Sequence, residues 1–228
     1  IIYVSFISLG LPGSLLGSAW PAIQKSLEAP LPFAGVISMI VSCGTVISSL
    51  MSTRVIRRFG TGRVTLVSVA MTAFALLGFS FAPQVGWLCL LAVPLGLGAG
   101  SVDAGLNNFV ALHYQAKHMS WLHCFWGIGA TAGPIVMAFW IDRNNNWHAG
   151  YRTIGLLQVA LVAVLLFSLP LWKKVSSPQE EAGEEAVVAL PLRQVFRLPK
   201  AKGALLGFFC YTAVEVTANL WTSSYAVK

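Results

Sequence analysis

Charge is what this sequence has least of. Only 10% of its 228 residues are Asp, Glu, Lys or Arg, against about 25% in soluble globular domains. That shortage excludes an ordinary water-soluble fold, because 56% of the chain is hydrophobic and too little polar surface remains to cover it. Cysteine is also scarce. Cys43, Cys89, Cys124 and Cys210 form no C-x-x-C pair, so neither a disulfide framework nor a zinc site is indicated, and they read as small apolar packing residues. No H-E-x-x-H and no G-x-S-x-G is present. His123 beside Ser120 is too thin a basis for a hydrolase, and an enzyme is not expected. The first apolar run has no basic n-region and no A-x-A site, which argues for a membrane span rather than a signal peptide. A few cytoplasmic residues are expected before Ile1.

What is present is long apolar stretches. Seven spans are read, at 1–22, 33–53, 63–82, 86–112, 119–141, 150–172 and 203–226, each near the roughly 20 residues that cross a bilayer core. Pro30 and Pro32, Gly60 and Gly62, Pro83 and Asn144–Asn146 punctuate them. Eight Trp and thirteen Phe suit membrane interfaces. The net charge of +7 is confined to a few loops. Eleven of the fifteen Lys and Arg fall in 54–63, 113–118 and 173–202. This bias sets a cytoplasmic N-terminus in a multi-pass plasma (inner) membrane protein, and nucleic acid is not an expected partner. The stretch 173–202 holds four Glu with Pro, Gly and Ser and reads as a cytoplasmic linker. Within it, Leu190, Leu192, Val195, Phe196 and Leu198 alternate with Arg193, Arg197 and Lys200, either as an interfacial segment or as a plain tether. The organisation is therefore a six-helix transmembrane bundle over 1–172, the linker 173–202, and a seventh helix over 203–228 that begins a second bundle, the whole being the front part of a longer protein.

Two of the eight acidic residues stand in hydrocarbon, Asp103 and Glu215. A carboxylate there costs about 2.5–3.5 kcal/mol on insertion scales and so points to function by default. Asn107 follows Asp103 by one turn, and Gly96 and Gly100 continue that face, where a helix or a ligand can come close to the backbone. Asp103 reads as a proton carrier, a solute hydrogen-bond partner, or a carboxyl tying helices together. Tyr211, Glu215 and Asn219 form an i, i+4, i+8 stripe that is an improbable lipid-facing surface. His123 lies at a depth close to Asn107 and is either a direct participant or a boundary residue, and Trp126 one turn later offers an aromatic face. Gly127, Gly129, Gly133 and Pro134 suggest a thinned, bent helix. The first span, with Pro12, Gly13, Ser14, Gly17 and Ser18, either lines a cavity or packs closely. Gln158 has no pattern to support a role. No Arg or Lys lies deep in a span. Either a basic partner lies further along a longer chain or a carboxyl carries a proton part of the time, as a proton-coupled carrier requires.

Six helices, a charged linker and a further helix resemble the major facilitator superfamily. The segment "TRVIRRFGTGRV", residues 53–64, is similar to that family's loop signature in Arg58, Gly60 and Arg63, with Thr53 and Arg57 standing where glycine and aspartate are usual. "GIGATAGP", residues 127–134, is similar to its fifth-helix glycine–proline signature. Within the superfamily, "GLGAGSVDAGLNN", "LHCFWGIGATAGP" and "GFFCYTAVEVTANLW" resemble the fucose/glucose–galactose proton symporter group. The resemblance implies twelve spans in two bundles with a midplane site between them. Asp103 matches the group's fourth-helix acid. Its first-helix acid has no counterpart in residues 1–22, and Glu215 is the candidate substitute. The implied function is proton-coupled uptake of a sugar-like solute by alternating access, with Asp103 and Glu215 coupling the proton. Asn107, Tyr211, Glu215, Asn219, His123 and Trp126 would contact the solute. Proton-driven efflux on the same scaffold and a non-transporting sensor are the alternatives. No cofactor or metal is implied.

Overall fold

The computed structural model describes residues 1–175, 194 and 198–226, and among them the secondary structure is entirely helical. Eight helices follow one another: α1 (Ile2–Gly13), α2 (Leu15–Ser26), α3 (Phe33–Phe59), α4 (Thr61–Phe79), α5 (Val85–His113), α6 (Ala116–Asn144), α7 (Trp147–Val175) and α8 (Ala201–Ala226). With α1 and α2 taken together they give seven helices of membrane-crossing length and composition, as the apolar runs require. The alternating basic and apolar residues of the linker lie outside the described residues except at Leu198 and Lys200.

The helices are longer and the loops shorter than hydropathy suggests. The basic segment 54–63 is not an open loop: Arg54, Arg57 and Arg58 belong to the last turns of α3, and Arg63 is already in the first turn of α4. Hydropathy ends a span where charge begins, but a helix continues past the membrane boundary, and cations in its last turn favour its negative end. Gly60 alone turns the chain, at φ 79° and ψ 149°, a conformation nearly restricted to glycine. At the other face Asn145 closes α6 in the left-handed region at φ 49°. The Asn146 side chain then accepts the Ala149 N–H at 3.0 Å and opens α7.

Two helix pairs are held together by glycine. In α3 and α5, a Cβ added to Gly96 would strike the Val41 carbonyl and one on Gly100 the Thr45 carbonyl, both on the α3 backbone. Hydroxyls secure the seam: Thr45 Oγ1 donates to Gly96 O at 3.3 Å, Ser48 to Leu97 O at 2.5 Å, and Ser49 to Gly100 O at 3.2 Å. In lipid no hydrophobic force draws helices together, so close backbone approach and interhelical hydrogen bonds take its place. In α1 and α6, Gly10 meets Trp126 O, Gly129 meets Ile7 O, and Gly133 meets Leu11 O. Gly129 and Gly133 are therefore contact surfaces, whereas Gly127 has nothing within 4 Å of its Cβ position.

The first span is broken. Ser14, at φ −110° and ψ 1°, interrupts it between α1 and α2. Pro12 removes the N–H that would bond the Ser8 carbonyl one turn back. In hydrocarbon that carbonyl needs another donor, and Gln158 of α7 supplies it: its Nε2 donates to Ser8 O at 2.7 Å, while the Ser8 hydroxyl donates to Gln158 Oε1. Pro134 frees the Ala130 carbonyl of α6 in the same way, and the Ser14 hydroxyl takes it at 2.7 Å. Gln158, which has no pattern around it in sequence, is the polar clamp of a proline kink. Gln158→Leu should leave a buried carbonyl unpaired and cost about 1–3 kcal/mol. A melting temperature in detergent equal to wild type would show that the clamp contributes nothing.

Buried apolar side chains gather in two clusters. One joins Leu15, Trp20, Ile23, Leu76, Phe79, Leu88, Trp147 and Tyr151 towards the end where α2 meets α3. The other joins Phe6, Val69, Val102, Leu106, Leu122 and Leu165 towards the opposite end. The Ser8–Gln158 clamp lies between them in chain order, at the depth of the site.

Candidate functional site

Between the two clusters lies a cavity of about 210 Å³. The broken first span contributes Ser5, Ser8, Pro12, Gly13 and Gly17, and α3 contributes Ser38 and Ser42. Thr72 comes from α4, Ala99 and Val102 from α5, Tyr151 from α7, and Val216 and Asn219 from α8. Its polar side chains are thus hydroxyls and one amide, and among the described residues no Asp, Glu, Lys, Arg or His lines it. Several hydroxyls are already committed. Thr72 Oγ1 donates to Val69 O at 2.9 Å, Ser5 to Ile1 O at 3.2 Å, and Ser8 to Gln158. Their oxygens remain able to accept.

The break in the first span faces the cavity: Pro12 and Gly13 line it from before Ser14, and Leu16 and Gly17 from after it. Small residues around the Ser14 break let the span run close to its neighbours. Ser18 bonds back to Ser14 O at 2.8 Å, and Gly17 lets the α8 backbone approach at Asn219, where a Cβ would overlap. Helix α8 thereby packs on α2 and brings Asn219 to the cavity. The first span both lines the site and packs closely.

The residues singled out in sequence fall into separate groups. Asp103 and Asn107 are joined as their spacing implies: Asn107 Nδ2 donates to Asp103 Oδ1 at 2.9 Å and to Asp103 O at 3.0 Å. Both are half-buried on α5, and His123 is exposed on α6. Edge-on to His123 stands the Phe6 ring, with centroids 6.2 Å apart. Trp126 is half-buried on α6, and its carbonyl faces Gly10. Of these, none lines the cavity; Val102, beside Asp103, does. On α8, Asn219 lines the cavity, whereas Tyr211 is 60% exposed and Glu215, one turn on, is half-exposed, and neither lines it. The two carboxyls therefore do not share a cavity among the described residues. Arg58 lies 5.5 Å over the Phe59 ring and Arg63 is exposed, at the turn made by Gly60. No group of three His, Cys, Asp or Glu side chains gathers among the described residues.

Ser8, Ser38, Ser42, Thr72 and Tyr151 carry no motif, and sequence reasoning passes over them. One signal was available: a proline four residues after a serine in a membrane span announces an unpaired carbonyl, and hence a polar partner on another helix. A second cavity of about 330 Å³ opens at the end where α1 begins. It is lined by Tyr3, Phe109, Tyr114, His118 and Trp172, with Tyr3 Oη and His118 Nδ1 hydrogen-bonded at 2.6 Å.

The chain is 25% identical to the "Glucose/mannose transporter GlcP" of Bacillus subtilis over 72% of its own length and 42% of that protein. It is 26% identical to the "Niacin transporter NiaP" of Acinetobacter baylyi over 60% of its length and 32% of that protein. Against the "Protein TsgA homolog" of Erwinia tasmaniensis it is 21% identical over its whole length and 57% of that protein. It spans about half or less of the length of these relatives. Residues 2–228 match the family model of the Major Facilitator Superfamily. With seven membrane-length helices in place, the chain is part of a multi-pass integral membrane protein and belongs to the major facilitator superfamily.

Proposed function

We propose that the chain is the N-terminal part of a proton-coupled transporter that takes up a sugar-like polar solute by alternating access. Residues 1–172 would form one bundle and 203–228 would open the second, with 173–202 as the linker on the cytoplasmic side of the plasma membrane. The observation that carries the reading is a largely apolar cavity set with six hydroxyl side chains and, among the described residues, no charged one, touched by five of the first six spans and by α8. A neutral solute with several hydroxyls can exchange hydrogen bonds with such a lining, and its apolar face can rest on Leu76, Phe79 and Leu95. The glucose/mannose transporter among the relatives supports the same solute class.

Proton coupling would reside beside the cavity rather than in it. An ionised Asp103 is acceptor-only and receives the Asn107 amide; a protonated one is also a donor. Each change of state must rearrange the contact with Asn107 and the field felt by His123 on the neighbouring helix. That is a local event able to bias the rocking of one bundle on another. Full-length protein reconstituted in vesicles should accumulate D-glucose or D-mannose when an inward proton gradient is applied. Movement of nicotinate or lipophilic cations, with no hexose accumulation, would overturn the sugar reading.

A further inference from the structure

We infer that the Tyr151 hydroxyl is a binding group of the solute site, engaged by a hydroxyl of a neutral solute that reaches the deep end of the cavity. The inference deepens the uptake reading and rests on it.

Tyr151 lies in the second turn of α7 and is 1% exposed. Its ring is fixed by Phe79, centroids 5.2 Å apart, and by Trp147 at 6.0 Å and 90°. Its hydroxyl has no hydrogen-bond partner among the described residues. A phenylalanine would pack the same ring without stranding a polar atom, so the oxygen needs a reason to be there. The indole N–H groups of Trp20 and Trp147 are stranded too, but neither residue lines the cavity, whereas Tyr151 does. The neighbouring hydroxyls of Ser5, Ser8 and Thr72 have spent their protons on protein acceptors. Tyr151 lines the cavity and holds an uncommitted O–H donor that is fully buried, so a solute hydroxyl reaches it by a small shift of the wall.

The same wall fixes the class of solute. With no acidic, basic or imidazole side chain in the lining among the described residues, a carboxylate or ammonium brought against it would be buried without a counter-charge, which is strongly unfavourable. A neutral hydroxyl carries no charge to strand there, and it satisfies the phenol at the same time.

The test is Tyr151→Phe in the full-length protein, with melting temperature and binding of D-glucose, D-mannose and nicotinate measured side by side. Without solute, the variant should melt at the wild-type temperature or above it, since no bond is lost. With hexose, its affinity should fall about five- to tenfold, the worth of one net hydrogen bond. A lower melting temperature without solute would mean that the hydroxyl has a protein partner and would overturn the inference. Equal hexose affinity in the two proteins would overturn it alone and leave the uptake reading standing. Failure of the wild type to bind either hexose, or tighter binding of nicotinate, would overturn both.

Discussion

Asp103→Asn in the full-length protein is expected to abolish proton-driven accumulation while leaving solute exchange across the membrane near wild type. The amide has nearly the shape of the carboxyl, and its oxygen can still accept from Asn107 Nδ2, which lies 2.9 Å from Oδ1. It cannot carry a titrating proton. A one-unit pH difference can sustain a roughly tenfold solute ratio at one proton per solute, and the variant should show a ratio near one. Because Asp103 does not line the cavity, binding itself should survive. Vesicles with a counterflow arm separate the two activities. Full accumulation by the variant would remove Asp103 from coupling, and loss of counterflow as well would place it in solute binding.

Gly129→Leu should prevent assembly of the bundle, and Gly127→Leu, two residues away, should not. A Cβ at Gly129 would lie 2.0 Å from the Ile7 carbonyl oxygen of α1, which is backbone and cannot swing aside. Helices α1 and α6 would have to separate, which breaks the adjacent Gly10 and Gly133 contacts as well. Overpacking a fitted contact costs about 1–3 kcal/mol and more where backbone must move. At this crossing the cost should exceed ~3 kcal/mol, a large share of a marginal stability. Gly127 has open space at its Cβ, and a leucine there improves helix propensity. Size-exclusion profiles of the two variants in detergent make the comparison. A monodisperse Gly129→Leu protein melting like wild type would show that this contact does not hold the pair.

The spans were legible because crossing a bilayer demands about twenty apolar residues, a requirement written into composition. The Asp103–Asn107 bond was legible for a similar reason, since helical spacing alone brings the two side chains together. Which way each helix faces was not. Phe74 is 65% exposed and Phe79 is 1% exposed on the same helix, because lipid and protein interior are equally apolar and leave no polar face to mark the outside. The stripe Tyr211–Glu215–Asn219 shows the limit. Its regular spacing is real, yet only Asn219 reaches the cavity, through the approach that Gly17 allows. The break at Ser14 escaped notice because it depends on partners more than a hundred residues away. Tyr151 escaped because a tyrosine near a span's end reads as an interfacial anchor until its neighbours are known.

The two proline gaps have a consequence for how the protein is made. Each freed carbonyl is answered by a side chain from a different helix: Ser8 by Gln158, and Ala130 by Ser14. A ribosome delivers the first span long before the sixth, so the earliest helix to enter the bilayer is among the last to be completed. Until α7 arrives, the Ser8 carbonyl needs water, an insertase groove or a chaperone beside it. Chains truncated after Asn144 should therefore be cleared faster than the full-length protein in a pulse-chase experiment, although every helix they contain is apolar enough to insert; equal lifetimes would mean that early spans wait in the membrane without help.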